Sequence, residues 1–206
     1  NENAKLFLIS YLNRFEVEEI TEERVSKVLE CLLRLFTILE LVDSGYSSSN
    51  FKTFLFGENT KLVDPSITEE EIVQDFNEHI LKKWGKEEIY SLLVEYDKNI
   101  LVFLNEYLYA KNTDASFELS ENVNVEHIMP ASGHNIESIR HDAGIGTVEE
   151  FKSIVNQLGN KILLEEDINK SIGNEWFKTK KLNSVKNKTG YIDSKYSIAQ
   201  SLVNYP

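Results

Sequence analysis

The chain has 206 residues, 41% of them hydrophobic and 27% charged, a globular composition that excludes a disordered, collagen-like or disulfide-stapled chain. Its net charge of −12 opposes a broad polyanion-binding surface, which needs lysine and arginine to displace counterions. The single cysteine, Cys31, allows neither an internal disulfide nor a multi-cysteine zinc site and fits a reducing, cytoplasmic compartment. The richest apolar stretch, Val25 to Val42, carries Lys27, Glu30, Arg34 and Glu40, so no membrane span is expected. The first residues carry no basic leader. The chain does not begin with Met and is expected to be a fragment of a longer protein.

The first half reads as helical. Leu6, Ile9 and Leu12 mark a helix over Lys5 to Phe15. Thr21 is the expected N-cap of a second helix, with Glu22 and Glu23 at its positive end. Val25, Val28, Leu29, Leu32, Leu33, Phe36, Leu39 and Val42 form its stripe, and Leu35, Ile38 and Leu41 widen it, as in the central helix of a bundle. Gly45 and Ser47 to Ser49 mark a break, and a third segment is expected over Asn50 to Phe56. Asp64-Pro65-Ser66 is a turn, and Thr68 with Glu71 forms a capping box. Ile72, Phe76, Ile80 and Trp84 line the helix that follows, which Gly85 can stop. Lys86 to Ala110 continues the helical pattern. Residues 1–112 are therefore expected to be a helical bundle region, with His79 a surface or boundary histidine.

The texture changes after Lys111. Asn112 to Ser116 is a loop, and Val123, Val125 and Ile128 predict a strand ending at Pro130. Thr147 to Glu150 opens a helix through Leu158, Lys161 to Leu164 predicts a short strand, and Asp167 to about Asn183 a final helix. Charge is uneven. From Lys170 to Pro206 there are seven lysines against two acids, a net +5, leaving −17 on the rest. On charge alone that run reads as a solvated helix face.

The densest chemistry is Glu126-His127-Ile128-Met129-Pro130, a carboxylate and an imidazole adjacent at a strand end. On a regular strand the two side chains point to opposite faces. Downstream come Gly159-Asn160-Lys161-Ile162-Leu163-Leu164, then Asn169-Lys170-Ser171 and Phe177-Lys178. This order resembles the His-Me finger nucleases of the HNH class. More closely, it is similar to the C-terminal nuclease domain of GmrSD-type restriction enzymes, bacterial defence proteins that often join a helical region to this domain. The resemblance covers roughly the last 90 residues by motif.

The resemblance implies an α+β, mostly α protein: a helical bundle over residues 1–112, then a ββα-metal, HNH-like domain over residues 113–206. It implies metal-dependent cleavage of DNA, nicking or double-strand, in restriction of foreign or modified DNA. His127 would be the general base. Glu126 and Asn169 would hold Mg²⁺, or Mn²⁺, through hard oxygens. Asn160 would orient His127 or brace the metal loop, rather than touch substrate. Lys170 and Lys178 would contact phosphate, and the basic tail would face DNA. The family's nucleotide-hydrolysing N-terminal domain, with its Gln-Arg-rich signature, is not found in these residues and would be a partner outside the chain. One metal site cuts one strand, so double-strand cleavage implies a homo-oligomer or two events.

Each residue also has a plain structural reading: Glu126 as a strand residue, Asn169 as an N-cap, Lys178 as a stem over apolar surface. Other readings remain at this point: a catalytically weak DNA-binding or assembly module on the same fold, an RNA-directed nuclease, or a structural helical domain. His127, His134 and His141 recur every seven residues, a zinc-like set that Gly133, Gly144 and Gly146 disfavour by interrupting any continuous helix.

Overall fold

The computed structural model describes residues 1–182 and 189–206. The expected end of the last helix at Asn183, and Lys186 and Lys188 of the basic run, lie outside the described residues. Two compact units divide at Leu93 and Val94.

The first unit, Asn1–Leu93, is helical. Helix α1 runs Glu2–Leu12, capped by the Asn1 side chain. Helix α2 runs Glu22–Leu41, with Thr21 accepting from the Arg24 amide. A π-helical turn at Ser49–Thr53 leads into α3, Phe54–Lys61, and α4 covers Glu69–Lys83. Helix α2 packs against both α1 and α4, and α1 also packs on α3. The core holds Phe7, Tyr11, Leu35, Leu39, Phe51, Leu55 and Phe76. The expected stripe on α2 is only partly the buried one. Leu29 and Leu33 are exposed, while Cys31 and Leu35 face inward. The apolar stripe of α2 is wider than the face its neighbours cover, so its edge residues stay exposed. His79, expected at a surface or boundary, stacks on Phe54 at 4.0 Å and contacts the Asn50 carbonyl.

The capping box at α4 forms in both directions: Thr68 Oγ1 accepts from the Glu71 amide at 3.2 Å, and Glu71 accepts from the Thr68 amide at 2.7 Å. Thr68→Ala is expected to destabilise the first unit by about 1 kcal/mol. Urea unfolding followed by the far-ultraviolet signal of the full chain would measure it.

Helix α5, Lys86–Glu95, spans the division between the units. The pattern expected to continue from Lys86 to Ala110 is broken, because the chain leaves the helix at Tyr96–Asn99 and restarts as α6, Ile100–Asn112. The second unit, Val94–Pro206, therefore begins before residue 113, where the sequence reading divides the chain, and it includes α6. Helix α6 packs on strand β2, Lys161–Glu165, and on α11, Ser197–Leu202. Strand β1, Val123–His127, pairs antiparallel with β2, placing Glu126 opposite Ile162 and His127 opposite Lys161.

Between the strands lie α7, Ile136–Asp142, and α8, Val148–Asn156. After β2 come α9, Glu166–Ile172, and α10, Phe177–Leu182. The single helix expected from Asp167 is split at Gly173, whose φ of 51° lies in the left-handed region that favours glycine. Helix α9 packs on both strands. The main core of this unit holds Val102, Ile162, Leu163, Leu164, Ile168, Ile172, Tyr191, Tyr196 and Ala199. A smaller cluster joins Ile139, Phe151 and Val155 with Met129 and Trp176. The described residues are thus mostly helical with one two-stranded sheet. Among the described residues no helix is long and apolar enough to cross a membrane.

Candidate functional site

The exit of β1 gathers the polar groups. Antiparallel pairing puts opposed residues on one face, so Glu126 shares a face with Ile162 and His127 shares the other with Lys161. The partners follow that division. Glu126 is buried, 6% exposed, and its carboxylate takes the Lys180 ammonium and the Tyr191 hydroxyl, the latter at 3.3 Å. Burial raises its carboxyl above the usual range, offset in part by Lys180, Tyr191 and the nearby His127 backbone N–H.

The imidazole of His127 is half-buried. Its Nε2 is enclosed and has no hydrogen-bond partner among the described residues, while the nearby Asn156 side chain favours the protonated ring. A proton on Nδ1 would leave the lone pair on Nε2. Burial, and then the positive charges of Lys161 and Lys180, push the imidazole below its usual range; the Asn156 side chain offsets this in part. The ring is therefore neutral at neutral pH. A base with a depressed folded pKa contributes stability above its unfolded value, and that contribution is lost as pH falls through the folded value. Thermal melting from pH 8 to pH 5 is expected to drop more steeply in the native chain than in His127→Gln.

Asn160 braces the same segment. Its Oδ1 accepts from the Met129 amide at 2.8 Å, and its Nδ2 donates to the carbonyls of Met129 and Val155, both at 2.9 Å. Its own carbonyl accepts from the Ile128 amide at 2.9 Å. All three of its side-chain bonds are to backbone, and none is to the His127 ring.

Asn169 lies on α9, partly buried. Lys170 is exposed and bonds Glu166 at 2.6 Å. Lys178 is exposed on α10. Lys181 bonds the Tyr205 carbonyl and sits over the Phe177 ring. Lys180, one of the seven tail lysines, is fully buried and so contributes nothing to a phosphate-facing surface.

A divalent ion on Glu126 and Asn169 meets a different arrangement here. The Glu126 carboxylate faces an ammonium and is closed from solvent on the side of the core. A second cation at that oxygen would have to displace the first. Among the described residues, no three His, Cys, Asp or Glu side chains come together as a metal-binding group. As folded, the donor set does not fit a resident divalent metal. His134 and His141 are both exposed.

Sequence reasoning missed Lys180, Tyr191, Asn156 and Lys161. Lys180 lies three residues after Phe177, a spacing that puts the two on one helix face; that was the one local signal available. Lys161 donates to the Asp97 carbonyl and to Asn99 Oδ1, the latter at 3.0 Å, tying the break before α6 to β2.

A family model described as GmrSD restriction endonucleases, C-terminal domain, matches residues 74–206, well over half of the chain. No curated protein and no solved structure matches.

Proposed function

The chain belongs to the GmrSD restriction endonucleases through their C-terminal domain, and on that premise we propose that it hydrolyses phosphodiester bonds in DNA, with His127 as the general base. The observation that carries this reading is an imidazole at the end of β1 whose Nε2 has no partner among the described residues. Nε2 is enclosed as folded, so substrate binding has to open the ring to water; the nitrogen then takes a proton from that water as the water oxygen bonds phosphorus. The bond from phosphorus to the leaving oxygen then breaks, and that oxygen takes up a proton from solvent. Asn160 keeps the loop after His127 in place, and Lys170 and Lys178 contact phosphates flanking the scissile bond. The substrate is foreign or modified DNA. The nucleotide-hydrolysing N-terminal domain is the proposed partner, and pairing of two copies is the proposed route to double-strand cleavage. No step is assigned to Mg²⁺ or Mn²⁺, because Glu126 already holds Lys180.

That same ion pair favours a second reading, a DNA-binding or assembly module with little catalysis. One experiment separates the two. Supercoiled plasmid is incubated with the native chain and with His127→Ala, in Mg²⁺, in Mn²⁺ and in EDTA. Nicking by the native chain that disappears in His127→Ala supports the nuclease. Equal nicking by both chains removes His127 from the reaction. DNA retention without cleavage by either supports the binding module.

A further inference from the structure

We infer that Lys180 is a positioning residue for His127, and that its ammonium, rather than a metal ion, is the cation of the Glu126 carboxylate. The inference rests on the reading of His127 as the general base.

Lys180 has no solvent exposure, and its ammonium meets three acceptors from three successive residues. These are the Glu126 carboxylate, the His127 carbonyl at 2.7 Å and the Ile128 carbonyl at 3.4 Å. An ammonium has three protons, so this geometry occupies all of them and leaves none for phosphate. Asn160 meets what remains, namely the amides of Ile128 and Met129 and the Met129 carbonyl. From the His127 carbonyl to the Met129 carbonyl, every backbone donor and acceptor thus has a partner, supplied by Lys180 or Asn160. Pro130 follows, and its nitrogen carries no proton. The peptide frame from which the imidazole projects cannot turn without breaking one of these bonds. Tyr191 closes the carboxylate from the side of the core.

Burial opposes charge on both partners, raising the Glu126 carboxyl and lowering the Lys180 ammonium, while each partner offsets the shift of the other. Buried ion pairs often contribute little net stability, and their best-attested use is to specify one arrangement. Here the arrangement specified is the exit of β1.

The test uses the full chain as native, Lys180→Met, Glu126→Gln and the double variant Glu126→Gln with Lys180→Met. Lys180→Met alone strands a buried carboxylate and is expected to melt lowest; adding Glu126→Gln is expected to raise the melting temperature again. In the native chain, ring-nitrogen NMR is expected to show one His127 tautomer, with the proton on Nδ1. In the double variant the two ring nitrogens are expected to average. Nicking by the double variant is expected to lose roughly 10- to 100-fold in kcat with little change in KM. Mn²⁺ titration should give the same affinity for native and Glu126→Gln chains.

An unchanged tautomer in the double variant overturns the positioning role, whatever the nicking result. Loss of Mn²⁺ affinity in Glu126→Gln overturns the assignment of Lys180 as the cation of Glu126. A native chain that does not nick, combined with an averaged tautomer in the double variant, defeats the nuclease reading and leaves the positioning role standing.

Discussion

His127→Ala is expected to slow plasmid nicking by ~10²- to 10⁴-fold, the range that a positioned general base contributes, without unfolding the chain. The reason is the economy of contacts on the ring. Nε2 bonds nothing, so its removal leaves no group there unsatisfied, and the Asn156 amide on the other side is exposed enough to bond water. The backbone carbonyl of His127 is held by Lys180, which the substitution leaves in place. Melting close to that of the native chain, together with the rate loss, would separate chemistry from folding. Added imidazole is expected to restore part of the rate by occupying the space of the missing ring. A rate loss under about tenfold would be too small for a general base and would place the proton acceptor elsewhere.

Leu163→Ala is expected to destabilise the second unit by about 2–5 kcal/mol, the usual cost of a leucine cavity in a core that relaxes only partly. Leu163 has no solvent exposure and lies at the centre of β2, opposite Val125. Its cluster reaches Val102 on α6, Ile168 and Ile172 on α9, and Ala199 on α11. A cavity there would open in the core that these three helices share with β2. Domain stabilities run from roughly 5 to 15 kcal/mol, so the loss is a large share of the total. Amide exchange along the β1–β2 ladder would read the change locally. Protection that falls in β2 and in α6 together would show that α6 belongs to the cooperative unit of the sheet. Protection unchanged to within about 1 kcal/mol would mean that Leu163 is not packed as described.

The sequence by itself determined what short-range rules govern. Thr21, Thr68 and Thr147 each accept from the amide three residues on, as their spacing requires. Strand β2 falls where the apolar run predicts it, and β1 begins as predicted but ends at His127, three residues before the expected Pro130. The order Glu126-His127, Asn160, Asn169 pointed to the family whose model covers residues 74–206. Asn160 braces the loop after His127 because residues 128–130 leave the sheet just where β2 begins.

Tertiary structure decided the rest. The helical periodicity of Lys86 to Ala110 is continuous, yet Lys161, more than sixty residues away, draws the Asp97 carbonyl and Asn99 into a break. Helix α6 consequently packs on β2 and α11 within the second unit. The sequence shows seven alike lysines in the tail, but the fold buries Lys180 alone among the described ones, against Glu126. That single contact turns an expected metal ligand into half of a buried ion pair. Caps and periodicity depend on neighbours within about four residues. Which lysine meets which carboxylate depends instead on two elements 54 residues apart and on the desolvation that makes an unpaired buried charge too costly to keep.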